Sequence, residues 1–236
     1  MELSPVNRYR HIFFDLDHTL WDFTANSRAT LDELYTDLGL SSKGVSDAEE
    51  LITVYEEVNR DMWLQYEQGR IPKEVMRVLR FRTTLRHFGV TERGLPETMA
   101  HAYLERCPRR IQLFPGVPAL LRDLKPHYRL HIITNGFDEV QHTKLRCSGI
   151  EDLFDAVITS ERAGASKPSP AIFAYAQKRA GAEPSGSLMV GDNVLSDMAG
   201  ARDAGWDHAH FAAEVEADPL ATYRIRHMDD LRPLLL

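Results

Sequence analysis

The sequence predicts an α/β protein: a parallel sheet flanked by helices, with an α-helical insertion separating the first strand from the rest. Beyond Pro108, short apolar runs alternate with helical patterns, as βαβ units require. Between the first apolar run and Pro108, hydrophobic residues recur only at helical spacing. Neither a repeat at fixed period nor a low-complexity segment is present, which removes solenoids and propellers.

The elements follow in order. Ile12 to Phe14 is apolar and too short for anything but a buried strand, and it runs directly into Asp15 and Asp17. Ionised groups at the edge of a core destabilise a fold unless a cation, hydrogen bonds or a ligand compensates. Thr24 or Asn26 caps a first helix, with Leu31, Leu34, Tyr35 and Leu38 on one face and Gly39 as its stop. Ser46-Asp47-Ala48-Glu49 reads as a capping box, followed by Leu51, Val54, Tyr55, Val58, Met62 and Tyr66 up to Gly69. Pro72 suits a first turn ahead of Val75, Val78, Leu79 and Leu85, and a fourth helical segment spans Pro96 to Arg106. Strands are then expected at Leu130 to Thr134, Ala156 to Thr159, Leu188 to Val190 and, on weaker patterning, His208 to Phe211. Helices are expected at Val117 to Leu124, Phe137 to Cys147, Pro168 to Ala180 and Asn193 to Ala204. The implied division is a core of residues 1–20 and 108–236 around a helical domain of residues 21–107.

Composition narrows the function. A formal charge of −7 argues against a protein built to grip a nucleic acid polymer, which needs a concentrated positive surface. Cys107 and Cys147 are too few for a disulfide framework and too far apart for a CxxC site, in keeping with a reducing cytoplasm. The first ten residues lack the apolar stretch of a signal peptide, and no later run reaches the length of a membrane span. A cytoplasmic protein is expected, as monomer or homodimer.

In a parallel sheet, ligands bind in the crevice outside the carboxyl ends of the strands. The strand ends carry Asp15, Asp17 and Thr19; then Thr134, Asn135 and Gly136; then Thr159 and Ser160 with Lys167 shortly after; then Gly191, Asp192 and Asn193 with Asp197 one helical turn on. Several carboxylates with no histidine or cysteine partner make a hard oxygen cage that suits Mg²⁺. A lysine and a hydroxyl match the remaining oxygens of a phosphoryl group, and a free aspartate can attack phosphorus while another moves the proton.

Asp15-Leu16-Asp17-His18-Thr19 resembles the DxDxT signature of the haloacid dehalogenase superfamily, with Thr134, Lys167 and the run Gly191 to Asp197 where its later motifs belong. The resemblance covers nearly the whole chain and implies a three-layer Rossmann-like core with an inserted C1-type α-helical cap domain. It implies Asp15 as nucleophile, Asp17 as acid and base, and Thr134 and Lys167 as holders of the phosphoryl group. Mg²⁺ would be bound by Asp15, the backbone carbonyl of Asp17, and Asp192, with Asp197 a further ligand or an orienter of the metal's waters and Asn193 a lesser candidate. Attack on a carbon–halogen bond needs no second acid and no metal, so Asp17 and Asp192 favour phosphate chemistry.

The stretch Asn59 to Ile71, together with Ile133 to Phe137, resembles the branch containing bacterial pyrimidine 5′-nucleotidases. That implies a small phosphorylated metabolite, a nucleoside 5′-monophosphate, as substrate. Trp21, Trp63, Asn135, Gly136 and Arg80 are the candidate substrate contacts, although aromatic residues at helical spacing, such as Tyr66, also fit plain packing. Two alternatives stay open: a sugar-phosphate or phosphoglycolate-type phosphatase on the same scaffold, and a phosphoreceiver that uses the same groups for signalling.

Overall fold

The protein is described by a computed structural model covering residues 8–213 and 215–236. Strand β1 (His11–Phe14) is followed by four helices, α1 (Phe23–Asp37), α2 (Ala48–Glu67), α3 (Lys73–His87) and α4 (Leu95–Arg106). The alternating part comprises α5 (Val117–Leu124), β2 (Arg129–Thr134), α6 (Asp138–Cys147), β3 (Ala156–Thr159), α7 (Ser160–Ala163), α8 (Pro170–Ala180) and β4 (Ser187–Gly191). It ends with α9 (Ala199–Asp203), β5 (Asp207–Phe211), β6 (Tyr223–Ile225) and α10 (Arg232–Leu235). By contact the chain divides into two compact units, one made of the chain up to Phe23 and from Ile111 to Leu236, the other Thr24–Arg110.

In the first unit the strands form one sheet in the order β3-β2-β1-β4-β5-β6, all parallel. β1 is central, with Phe14 level with Ile132 of β2 and Val190 of β4. Paired on both sides and covered on both faces, it has to be apolar throughout, which is why Ile12, Phe13 and Phe14 read as an unbroken run. Phe13 packs with Ile133, Ile158, Ile172, Phe173, Met189, Met198 and Trp206; Ile12 and Phe14, pointing the other way by strand alternation, are equally buried. Strand order reverses at β1, so a crevice opens at its carboxyl end.

The second unit is helical, with α2 against α3 and α3 against α4. Its interior holds the rings of Tyr55, Phe81 and Tyr103, with centroids 5.1 to 5.6 Å apart.

Local departures from the sequence reading have local causes. The cap of α2 is Asp47 rather than Ser46, its side chain accepting from the Glu49 N–H. Pro72 stands at the cap position, one residue before α3. Asn193 to Ala204 is not one α-helix: Val194–Met198 is a π-type turn, with the Met198 N–H on the Asn193 carbonyl five residues back (3.2 Å), and α9 follows it. β6 was not foreseen, since three residues leave too short a pattern to read. Among the described residues no helix is long and apolar enough to cross a membrane.

Candidate active site

The ends of β1 and β4, with the Lys167 that follows β3, contribute to one cluster in the first unit. Asp15 leaves β1 with its N–H on the Val190 carbonyl (2.9 Å), which fixes its backbone against β4. The chain then turns tightly: the N–H groups of Leu20 and Trp21 both reach the Leu16 carbonyl, and His18 takes a positive φ of 61°. This turn brings Thr19 back, and its hydroxyl donates to Asp192 Oδ1 (3.1 Å).

The centre is largely buried and anionic. Oxygens of Asp15, Asp192 and Asp197 all lie within 4.8 Å of one another. Lys167, itself buried, donates to Asp15 Oδ1 (2.8 Å) and sits 2.6 Å from Asp197 Oδ1. Burial alone would favour the neutral amine, but the two carboxylates outweigh it and raise the pKa of Lys167. Burial, with Asp197 and Asp192 as like-charged neighbours, pushes the Asp15 carboxyl up against the pull of Lys167. Burial and Asp197 likewise push Asp192 up to about 7. Three carboxylates facing one ammonium leave an excess of negative charge away from water, and an all-oxygen donor set of this kind fits a hard divalent cation. Gly191 makes the approach possible, because a Cβ there would meet Asp197 Oδ2 at 2.3 Å.

Asp17 lies outside that cluster. Its Oδ1 accepts from Lys144 Nζ (2.5 Å) and its Oδ2 from Gln141 Nε2 (2.9 Å). Burial on its own would raise the Asp17 carboxyl, but the Lys144 charge and these hydrogen bonds bring it below the ordinary carboxylate range. Thr134 Oγ1 accepts from Gln141 Nε2 (2.7 Å) and from the Gly136 N–H (3.1 Å).

The other predicted contacts are placed differently from one another. Asn135 faces the chain itself: its Nδ2 donates to the Lys167 carbonyl (3.1 Å) and its Oδ1 accepts from the Lys167 N–H (2.8 Å), bracing the segment that carries the lysine. Trp21 is fully buried, with the Lys144 ammonium 4.4 Å from its ring centroid, so it offers no free aromatic face. Arg80 is buried in the helical unit, donating to Asn59 Oδ1 (2.9 Å) with its guanidinium 5.0 to 5.7 Å from the ring centroids of Tyr55, Phe81 and Tyr103. That environment explains it as an internal cation of the helical core. Trp63 is half-buried and meets Tyr66 edge-on at 5.6 Å. Asn193 caps the turn after β4, accepting from the Leu195 and Ser196 N–H groups (both 2.9 Å).

Sequence reasoning missed Gln141, Lys144 and the task of His210. His210 Nδ1 accepts from the Asp218 N–H (2.8 Å), so Nε2 carries the hydrogen and donates to the Asp192 carbonyl (2.8 Å), tying the Asp192 loop to β5. For Gln141 a signal existed: Gln141 and Leu145 stand four apart on α6, in step with Phe137 at its N-cap, and all three are buried.

The chain is 33% identical over 229 residues to pyrimidine 5′-nucleotidase YjjG of Escherichia coli, covering 95% of this chain and 96% of that protein. It is 30% identical over 230 residues to pyrimidine 5′-nucleotidase PynA of Streptococcus pneumoniae, covering 94% and 93%. Among solved structures, magnesium-bound HAD-hydrolase YfnB of Bacillus subtilis superposes with a TM-score of 0.86 at 26% identity, over 97% of this chain and 99% of that one. A family model of haloacid dehalogenase-like hydrolases matches residues 9–205, a span that includes every strand-end group gathered here, and the chain belongs to that family.

Proposed function

We propose that the protein is a Mg²⁺-dependent phosphomonoesterase that hydrolyses nucleoside 5′-monophosphates in the cytoplasm through an aspartyl-phosphate on Asp15. The observation that carries this reading is the pairing of Lys167 with both Asp15 and Asp197, beside a second, separately held acid at Asp17. A nucleophile, a phosphate-binding cation and a proton carrier kept off the metal site are what phosphoryl transfer from an ester asks for. Two relatives named as pyrimidine 5′-nucleotidases support the nucleotide substrate.

Asp15, Asp192, Asp197 and the Asp17 carbonyl would hold Mg²⁺, which when bound supplies positive charge to the carboxylates and to the phosphoryl oxygens. An Asp15 oxygen attacks phosphorus as the bond to the leaving oxygen breaks, and Asp17, in the protonated form that it regains from water in the second step, delivers its proton to that oxygen. Water then attacks the aspartyl-phosphate, its proton passes to Asp17, and the Asp15–phosphorus bond breaks to release inorganic phosphate. Lys167 and the Thr134 hydroxyl hold the phosphoryl oxygens throughout. The helical unit Thr24–Arg110 acts as the cap that selects the substrate.

The test is phosphate release across nucleoside monophosphates and sugar phosphates, with and without Mg²⁺. Pyrimidine nucleotides are expected to head the panel, and activity is expected to vanish with chelator. Asp15→Asn should lower the rate by about three orders of magnitude or more, as loss of a nucleophile does. A panel headed by sugar phosphates would move the assignment to a sugar-phosphate phosphatase, and full activity of Asp15→Asn would sink the mechanism.

A further inference from the structure

Gln141 and Lys144 belong to none of the strand ends, yet both are buried, and they meet the two groups on which the chemistry depends. They stand three apart on α6 and so share one face of it. The amide nitrogen of Gln141 has two hydrogens and two acceptors, Asp17 Oδ2 at 2.9 Å and Thr134 Oγ1 at 2.7 Å. A threonine hydroxyl has two lone pairs and one hydrogen. With the Gly136 N–H also donating to Thr134 Oγ1 at 3.1 Å, both lone pairs are engaged and the hydroxyl is left able only to donate. Among the described residues no acceptor is assigned to that hydrogen.

Lys144 completes the arrangement from the other side, with Nζ 2.5 Å from Asp17 Oδ1 and 4.4 and 5.5 Å from the ring centroids of Trp21 and Phe23. Each oxygen of the Asp17 carboxylate therefore has its own donor, which fixes both position and rotation. An ion pair with its ammonium buried and its carboxylate half-buried contributes little to stability compared with a packed apolar pair, so packing alone is a poor reason for it. Gly136 gives a second, independent sign that the amide position is specified: a Cβ there would stand 2.1 Å from Gln141 Nε2.

We propose that Gln141 and Lys144 are positioning residues. Gln141 makes the Thr134 hydroxyl an obligate donor to the phosphoryl group and couples it to Asp17. Lys144 holds the other Asp17 oxygen, so one helix sets both the phosphate-binding hydroxyl and the proton carrier. The inference rests on the phosphatase reading and adds to it the origin of the site's alignment.

The experiment uses the full chain with Mg²⁺ and two esters, p-nitrophenyl phosphate, whose leaving group needs no proton, and a nucleoside 5′-monophosphate, whose alkoxide does. Lys144→Met is expected to lower kcat/KM on the nucleotide by about 100-fold but on the aryl ester by less than about tenfold, since kcat/KM reports the phosphorylation half-reaction and only the nucleotide needs an aligned acid there. Gln141→Met is expected to slow both and to weaken competitive inhibition by inorganic phosphate, which Lys144→Met leaves unchanged. Both esters are measured on one preparation, so a misfolded fraction cancels in their ratio. Equal losses on the two esters or a gain for Lys144→Met, or an unaltered phosphate inhibition constant for Gln141→Met, would overturn the inference while leaving the phosphatase reading intact. A wild-type chain that releases phosphate from neither ester would overturn that reading and the inference with it.

Discussion

Asp15 and Asp17 are two positions apart in sequence and occupy opposite electrostatic environments. Burial and two neighbouring carboxylates push Asp15 up, whereas Asp17, half-buried, is drawn down by Lys144 and Gln141. The same competition between burial and partners acts at His131, whose ring lies 4.6 Å from that of Phe13 and whose Nε2 is 3.0 Å from His11 Nδ1. Burial, then the proximity of His11, lowers His131 from 6.5 to about 4, and burial lowers His11 as well. Below pH 6.5 the unfolded chain takes up a proton that folded His131 refuses until about 4. Stability is therefore complete above that window and is lost as pH falls through it, by at most about 3 kcal/mol for this one group. His131→Phe keeps a ring against Phe13 and is expected to flatten the dependence of the urea midpoint on pH across the window; a curve parallel to wild type would assign the acid sensitivity elsewhere. At this scale the sequence was informative where a polar residue ends an apolar run, as Asp15, Thr134 and Asp192 do. It was uninformative where a partner arrives from a distant element. Trp21 and Arg80 each look like free recognition groups until Lys144 is found on the first and three aromatic rings around the second.

Elements, more than residues, explain why the site is so closely set. The strands deliver their terminal side chains to one edge by pairing in register, which is why four short apolar runs sufficed to foresee both the sheet and the gathering point. The edge strand β6 and the π-type turn Val194–Met198 were not legible, because a three-residue strand carries no period and one inserted residue in a helix leaves the apolar pattern almost unchanged. Helix α6 lies between these cases. Its inward stripe was readable from Phe137 and Leu145, but a glutamine and a lysine on that stripe look like a solvated face until their acceptors are known. The loop from β2 into α6 depends on Gly136 lacking a side chain. Gly136→Ala would place a Cβ 2.1 Å from Gln141 Nε2 and drive the amide away from Thr134 and Asp17. Activity is expected to fall by roughly 100-fold, the scale on which a displacement of about 1 Å costs catalysis. The thermal midpoint should change little, as the loop is not part of the sheet. An alanine variant with wild-type kcat would show that the amide can shift without consequence.

For the molecule as a whole, the groups given a part in the proposed reaction, Asp15, Asp17, Thr134, Gln141, Lys144, Lys167, Asp192 and Asp197, all come from the unit that holds the sheet and not from Thr24–Arg110. The two points where the helical unit leaves and rejoins the sheet unit are tied together within the latter: the Asp22 N–H donates to the Gln112 carbonyl (3.1 Å), the Phe114 N–H to the Leu20 carbonyl (3.0 Å), and Trp21 and Leu113 form an antiparallel bridge. An insertion whose ends are already closed by hydrogen bonds adds little loop entropy, since each doubling of a flexible loop costs only about 0.6 kcal/mol. The sheet unit also has its own core, with Phe13, Ile158, Phe173, Met189 and Trp206 buried together. Replacing residues 24–110 by a short glycine–serine linker is therefore expected to give a chain that still unfolds cooperatively and gains thermal stability on adding Mg²⁺, because ligands that bind only the folded state shift the equilibrium towards it. It should keep slow, Asp15-dependent hydrolysis of p-nitrophenyl phosphate while losing preference among nucleoside monophosphates, since the specificity assigned to the helical unit would be gone. An excised chain that does not fold would show that the sheet unit needs its insertion for stability. One that folds and still discriminates between nucleotides would place substrate choice at the strand ends themselves, and the role given to the helices would fall.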